Sequence, residues 1–286
     1  MKRPFVFLIG LALAMQAYPA TTINSVNHYA CGANLGWTDW RADTANGAVI
    51  GEYVCSGYIY AANVGWINLG SGTPANGVQY LNNSAGDFGV NQDELGNLRG
   101  YAYGANIGWL SFENSGSPKV DLSTGKFGGY VYGANIGWIS LSNALAYMQA
   151  DTVAPGAMDT NGLPVAWELL NFGHTGVDPN ADPDGDGMSN LQEYLAGTDP
   201  NNANDELAIT SFAAASDSGS VTLTWNSVPT RSYYIQQRPD LSSSSPWSDS
   251  GLGLVAPDGP STSRIIAETN APMLFFRVQA VRPLAP

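Results

Sequence analysis

The residues best spaced to do chemistry lie in one stretch, Asp182-Pro-Asp184-Gly-Asp186-Gly187-Met188-Ser-Asn190-Leu-Gln-Glu193. Oxygen-bearing side chains stand at loop positions one, three, five, nine and twelve, a main-chain carbonyl at seven, and glycine at six, where the chain must turn sharply. Such oxygens converge only if the backbone coils around a common centre. A donor set made wholly of oxygen, with four carboxylates in it, suits a hard divalent cation, and its size suits Ca2+. The spacing predicts a calcium loop ligated by Asp182, Asp184, Asp186, the Met188 carbonyl, Asn190 and Glu193, with Glu193 arriving from the first turns of a following helix. The competing reading is a solvated acidic loop in which Ser189 or Asn190 caps that helix and Glu193 is an ordinary first-turn acid. The full set of matched positions favours the metal.

The flanks extend the pattern: Asp178-Pro-Asn180-Ala stands ahead of the loop and Gly197-Thr-Asp199-Pro200 behind it. The preceding helix candidate, Leu163 to Phe172, stops at Gly173, so a gap separates it from the first ligand where an EF-hand helix would enter directly. With these features, residues 178–200 resemble the bacterial thrombospondin type 3 and dockerin-like calcium repeats. The resemblance implies a second ion, for which Asp178, Asn180 and Asp199 are the ligand candidates. A dockerin pairs two loops and this chain carries one, so cohesin binding is not implied.

The elements that must position the loop are short. Pro164 near its start and Gly173 at its end frame one amphipathic helix, and a second leaves the loop and ends at Gly197. Trp167 and Leu170 are expected to pack against Leu191, Tyr194 and Leu195. Helices of this length do not persist alone in water. No Lys or Arg occurs between Lys126 and Arg231, so the segment repels itself until a cation neutralises it, and calcium is expected to couple to its folding.

Upstream, residues 21–147 repeat. The copies are Tyr29-Ala-Cys31-Gly-Ala-Asn34-Leu-Gly36-Trp37, Tyr58-Ile-Tyr60-Ala-Ala-Asn63-Val-Gly65-Trp66, Tyr101-Ala-Tyr103-Gly-Ala-Asn106-Ile-Gly108-Trp109 and Tyr130-Val-Tyr132-Gly-Ala-Asn135-Ile-Gly137-Trp138. Their tryptophans are 29, 43 and 29 residues apart. Each copy reads as a hairpin whose connection uses Asn and Gly for positive φ. Period-two alternation puts Leu110 and Phe112 on one face and Trp109 and Ser111 on the other. A repeated aromatic at a fixed hairpin position is most often the packing rung of an array, which predicts burial. Left open, the same face is a binding platform of Tyr58, Trp66, Tyr101, Trp109, Tyr130 and Trp138, suited to sugars, whose CH faces stack on rings while their hydroxyls need hydrogen bonds.

Residues 1–20 carry Lys2, Arg3 and an apolar run from Phe5 to Met15, the pattern of a secretory signal peptide, too short for a membrane span. Export makes the cysteines, Cys31 and Cys55, an expected disulfide. It would contribute about 3 kcal/mol by closing a loop of about 25 residues. Residues 148–205 hold the linker and the calcium module. In 206–286 the Val221-Thr-Leu-Thr-Trp225 strand, Tyr234-Ile and Phe276-Arg-Val-Gln-Ala resemble fibronectin type III domains, which implies a β-sandwich with Trp225 in its core.

The fold class is therefore mainly β: an N-terminal β-hairpin repeat array, a short two-helix calcium-binding module and a C-terminal β-sandwich. A net charge of −13 argues against nucleic acid and anionic membrane as partners. Carboxylates such as Asp39, Glu52, Asp87 and Glu113 do not recur at one place in the repeat, and no nucleophile or phosphate motif is present, so no catalytic residue is assigned. The reading is a secreted, calcium-binding recognition or adhesion protein whose partner is an extracellular glycan or protein surface. The alternatives are a self-assembling surface-layer, matrix or filament subunit and, less favoured, a polysaccharide-degrading enzyme.

Overall fold

The structure is a computed structural model that describes residues 21–214, 220–242, 245–267 and 274–285; residues 1–20, expected to be a signal peptide, lie outside the described residues. Each sequence copy forms one antiparallel hairpin. The strands are β1 (Ile23–Gly32) and β2 (Gly36–Asp39), β3 (Cys55–Ala61) and β4 (Gly65–Ser71), β5 (Leu98–Gly104) and β6 (Gly108–Ser111), and β7 (Tyr130–Gly133) and β8 (Gly137–Ser140). The glycine that opens each second strand has φ between 73° and 83°, a conformation in which a side chain is strained. Every strand pairs with its sequence neighbour, and β8 returns to β1, so the repeat closes into an eight-stranded barrel.

The closure is four times the same joint. The residue after each tryptophan sits opposite the small residue that ends the next Tyr-x-Tyr strand: Thr38 opposite Ala61, Ile67 opposite Gly104, Leu110 opposite Gly133, and Ile139 opposite Gly32. Smallness is required there because the neighbours fill the space. A Cβ on Gly133 would stand 2.7 Å from both Leu110 and Ile136. Ile59, Ile67, Leu110, Val131 and Ile139 point inward and are fully buried, each contributing roughly 1.5–3 kcal/mol. Trp40 closes one end edge-on to Phe112 and Phe127, and Leu35, Ile107 and Ile136 from the hairpin connections plug the other.

A ring of amides ties those connections together. Asn63 donates its side-chain N–H to the Leu35 carbonyl, Asn106 to Val64 and Asn135 to Ile107, each at 3.0 Å, and Asn34 completes the circuit to Ile136 at 3.3 Å. The repeated asparagine is thus the clasp between adjacent units. Short strands brace the far end of the barrel: Val90–Gln92 pairs with β5, Lys119–Val120 with Phe127–Gly128, and Met148–Ala150 with β1.

Helices α1 (Val165–Phe172) and α2 (Asn190–Ala196) follow, both ending on a left-handed glycine, Gly173 and Gly197. Leu163, Trp167, Val177 and Tyr194 form their small core, joined by Phe172 and Leu191. Leu170 and Leu195, expected in it, are exposed, because the inward positions are taken by Trp167 and Glu168 of α1 and by Asn190, Glu193, Tyr194 and Ala196 of α2.

The last part packs two three-stranded sheets. One orders β9 (Ile209–Ala214), β10 (Val221–Asn226) and β13 (Ser261–Ile266), the other β12 (Ser248–Val255), β11 (Ser232–Arg238) and β14 (Phe275–Val281). Trp225, Leu223, Tyr233 and Ile235 are wholly buried between them. Strand β12 has little apolar alternation in its Gly- and Ser-rich sequence, which is why the residues alone do not announce it.

Polar contacts join the three parts. Arg231, from the turn before β11, donates to the carbonyls of Tyr194 at 2.7 Å and Leu195 at 2.9 Å, capping α2 with positive charge. The Tyr194 hydroxyl donates to Glu52 of the barrel at 3.0 Å, and Arg282 pairs with the same carboxylate at 3.2 Å. Beyond β14 the chain returns to the barrel, where Leu284 packs against its core and accepts a hydrogen bond from Val153.

Candidate functional site

With the aliphatic residues inside, the alternation of each strand turns the tyrosines and tryptophans out. Trp37, Trp66, Trp109 and Trp138 are 47, 46, 46 and 45 % exposed, so the four units present the ring alike. Burial as packing rungs is corrected: the array closes on itself and needs no aromatic seam between stacked units. In the second, third and fourth units the second tyrosine lies about 5 Å from the tryptophan, tilted across the hairpin, and the first meets it edge-on at 6.3–6.4 Å. Tyr58 and Tyr130 are exposed and Tyr101 is half-buried. Such edge-to-face contacts hold the indoles in place while leaving a face open.

One unit differs. The extra residues between β4 and Val90 rise beside the third hairpin, and Phe88 stands 5.0 Å from Trp109 at 83°. Together with Asn82, Asn83, Ser84, Ala85 and Tyr101 these rings line a groove of about 500 Å³. The spacing of the tryptophans marked the insertion, but nothing in its residues marked Phe88 or Asn83 as neighbours of Trp109.

The acidic loop has the coiled geometry its spacing requires. Gly185 and Gly187 take φ of 79° and 100°. Asp182 accepts the N–H groups of Gly185 and Gly187, Asp184 that of Asp186, and Asp186 that of Met188. These bonds draw oxygens of the three carboxylates within 4.8 Å of one another. Ser189 and Gln192 form a capping box at the start of α2, which sets Asn190 and Glu193 beneath the loop, both wholly buried. Asn190 donates to the Asp178 carbonyl, leaving its Oδ1 without a partner, as are Asp184 Oδ2, Asp186 Oδ2 and both oxygens of Glu193. Burial, reinforced by the charges of Asp184 and Asp186, pushes the Glu193 carboxyl up to about 8. Orphaned buried oxygens of one sign are costly unless a cation joins them, so this set fits a hard divalent ion. The second-ion candidates Asp178, Asn180 and Asp199 are exposed; Asp178 accepts the Asn180 N–H and Asp199 that of Asn201, and none of the orphaned buried oxygens is theirs.

The expected disulfide is absent, and both cysteines are free thiols. Cys31 takes the outward place of a second tyrosine on β1, whereas Cys55 points into the barrel below Ile59, fully buried. Side chains on opposite faces of a sheet cannot meet the geometry of a disulfide. Burial pushes the Cys55 thiol up to about 12.

No protein-family model, curated protein or solved structure matches the chain. What the site can do must be argued from its own chemistry.

Proposed function

We propose that the protein is a secreted, calcium-binding recognition protein that holds extracellular glycan on the aromatic exterior of its barrel, without cleaving it. The observation that carries this reading is the fourfold outward tryptophan, exposed alike in every unit. Rings held rigid at the cost of exposed apolar area favour a ligand with an apolar face and polar edges. The groove at Trp109 is lined by rings, amides and a hydroxyl and by no carboxylate, whereas glycoside hydrolysis uses two carboxylates astride the bond. Closure of the barrel pairs both edges of all eight strands, which weighs against end-to-end stacking of repeats as the purpose of the array.

In this reading Asp182, Asp184, Asp186, the Met188 carbonyl, Asn190 and Glu193 hold Ca2+ beside the joint between barrel and sandwich. At millimolar calcium and a dissociation constant of the extracellular kind, one ion adds about 0.5–1.5 kcal/mol, enough to order a joint. The test is retardation of the full chain in native gels cast with neutral polysaccharides, with calcium present. Mobility unchanged by every polysaccharide would end the glycan reading.

A further inference from the structure

We infer that the saccharide is held in the groove beside Trp109 and is uncharged, and that the other three tryptophans are not equivalent sites; this rests on the glycan reading above. The insertion that walls the groove is built to be rigid. Tyr80, buried beneath it, donates its hydroxyl to the Cys55 carbonyl at 3.2 Å and accepts the Gly72 N–H. Gly70 and Gly89 make room for that ring, since a Cβ on either would stand 2.6 or 2.2 Å from it. Asp87, buried, accepts the N–H groups of Ala75 and Leu81, both at 3.1 Å. Both its oxygens are therefore engaged inside the insertion, and the carboxylate does not line the groove.

The lining follows from this frame. Phe88 stands edge-on to Trp109 and 6.3 Å from Tyr103, so the indole is braced on two sides. Asn83 and Ser84 are exposed on the facing wall. A sugar ring stacked on Trp109 would have its CH face on the indole and its hydroxyls within reach of an amide and a hydroxyl. At about 500 Å³ the groove lies within the range of about 300–1,000 Å³ that holds small ligands. No charged side chain lines it, and the chain as a whole is strongly acidic, so an acidic saccharide gains no partner and meets a repulsive field. A wall already fixed costs no ordering on binding, and among the described residues the ring contacts of Trp37, Trp66 and Trp138 are with the tyrosines of their own hairpins alone, so an aromatic wall is the advantage of this unit.

The test compares the full-length chain with Trp109→Ala, Asn83→Ala and Trp138→Ala in native gels cast with mixed-linkage β-glucan, xylan or galactomannan, or with alginate as the acidic probe. Thermal midpoints check that each variant folds. The expected result is retardation in at least one neutral gel and none in alginate. Affinity should fall at least tenfold for Trp109→Ala, roughly threefold to tenfold for Asn83→Ala as one hydrogen bond is lost, and less than twofold for Trp138→Ala. Equal losses for Trp109→Ala and Trp138→Ala, no loss for Trp109→Ala and Asn83→Ala, or retention by alginate alone would overturn the groove while leaving glycan binding in place. No retardation in any gel would remove the glycan reading and this inference with it.

Discussion

At the scale of single residues, three groups make sharp predictions. Glu193 contributes two of the orphaned oxygens in the acidic loop, so Glu193→Gln should remove calcium-dependent protection of residues 175–200 from proteolysis, as should Asp184→Ala. The check is the cleavage pattern with calcium and with chelator; wild-type protein cut equally in both would refute the metal assignment. Glu94, beside Glu52 and Arg231, is held above the ordinary carboxylate range by burial first and by the Glu52 charge second. A carboxyl raised in the fold contributes its stability below the unfolded value and loses it as pH climbs through the folded one. Glu94→Gln should therefore raise the thermal midpoint at pH 8 and leave it unchanged at pH 4. The two thiols should also separate. Native protein should show one fast thiol toward an exposed-thiol reagent, from Cys31, and Cys55 should react only on unfolding.

At the scale of elements, the barrel depends on hairpin connections that were half legible. Gly36, Gly65, Gly108 and Gly137 announced positive φ through their place in the repeat, and Gly108→Ala should cost about 1–2 kcal/mol in thermal or urea unfolding. Asn63, Asn106 and Asn135 could be read only as turn residues, because their partners belong to the preceding unit. Asn106→Ala should cost about 1 kcal/mol by opening the amide ring at one place. The alternation of Leu110 and Phe112 against Trp109 was plain, yet which face was inner was not. Both are apolar, and only closure of β8 on β1, a pairing between residues far apart in sequence, decides it. The coiled acidic loop was the most legible feature because its spacing is local. The groove at Trp109 was the least, since it depends on an insertion folding back over another unit. The disulfide expectation failed for the same reason as the burial expectation: the facing of Cys31 is set by closure.

At the scale of the whole molecule, Glu52, Tyr194, Arg231 and Arg282 link barrel, helices and sandwich. Arg282→Ala leaves Glu52 without its ion-pair partner, at a cost of roughly 3 kcal/mol, the low end for a buried pair because both side chains keep some solvent contact. Calorimetry should then resolve a separate transition for the sandwich, where wild type with calcium melts more nearly as one unit. The closing pair of strands has one more consequence. β1 is the first barrel strand to be made and β8 the last, so β1 waits with one edge unpaired until the fourth hairpin is complete. Local hairpins can form in microseconds, but ring closure carries the entropy of the whole intervening chain and sets the rate. During that wait the fourth hairpin of another copy offers β1 the same register, since all four joints are alike. Refolding at high concentration should thus trap exchanged dimers, and dilution should favour the closed monomer.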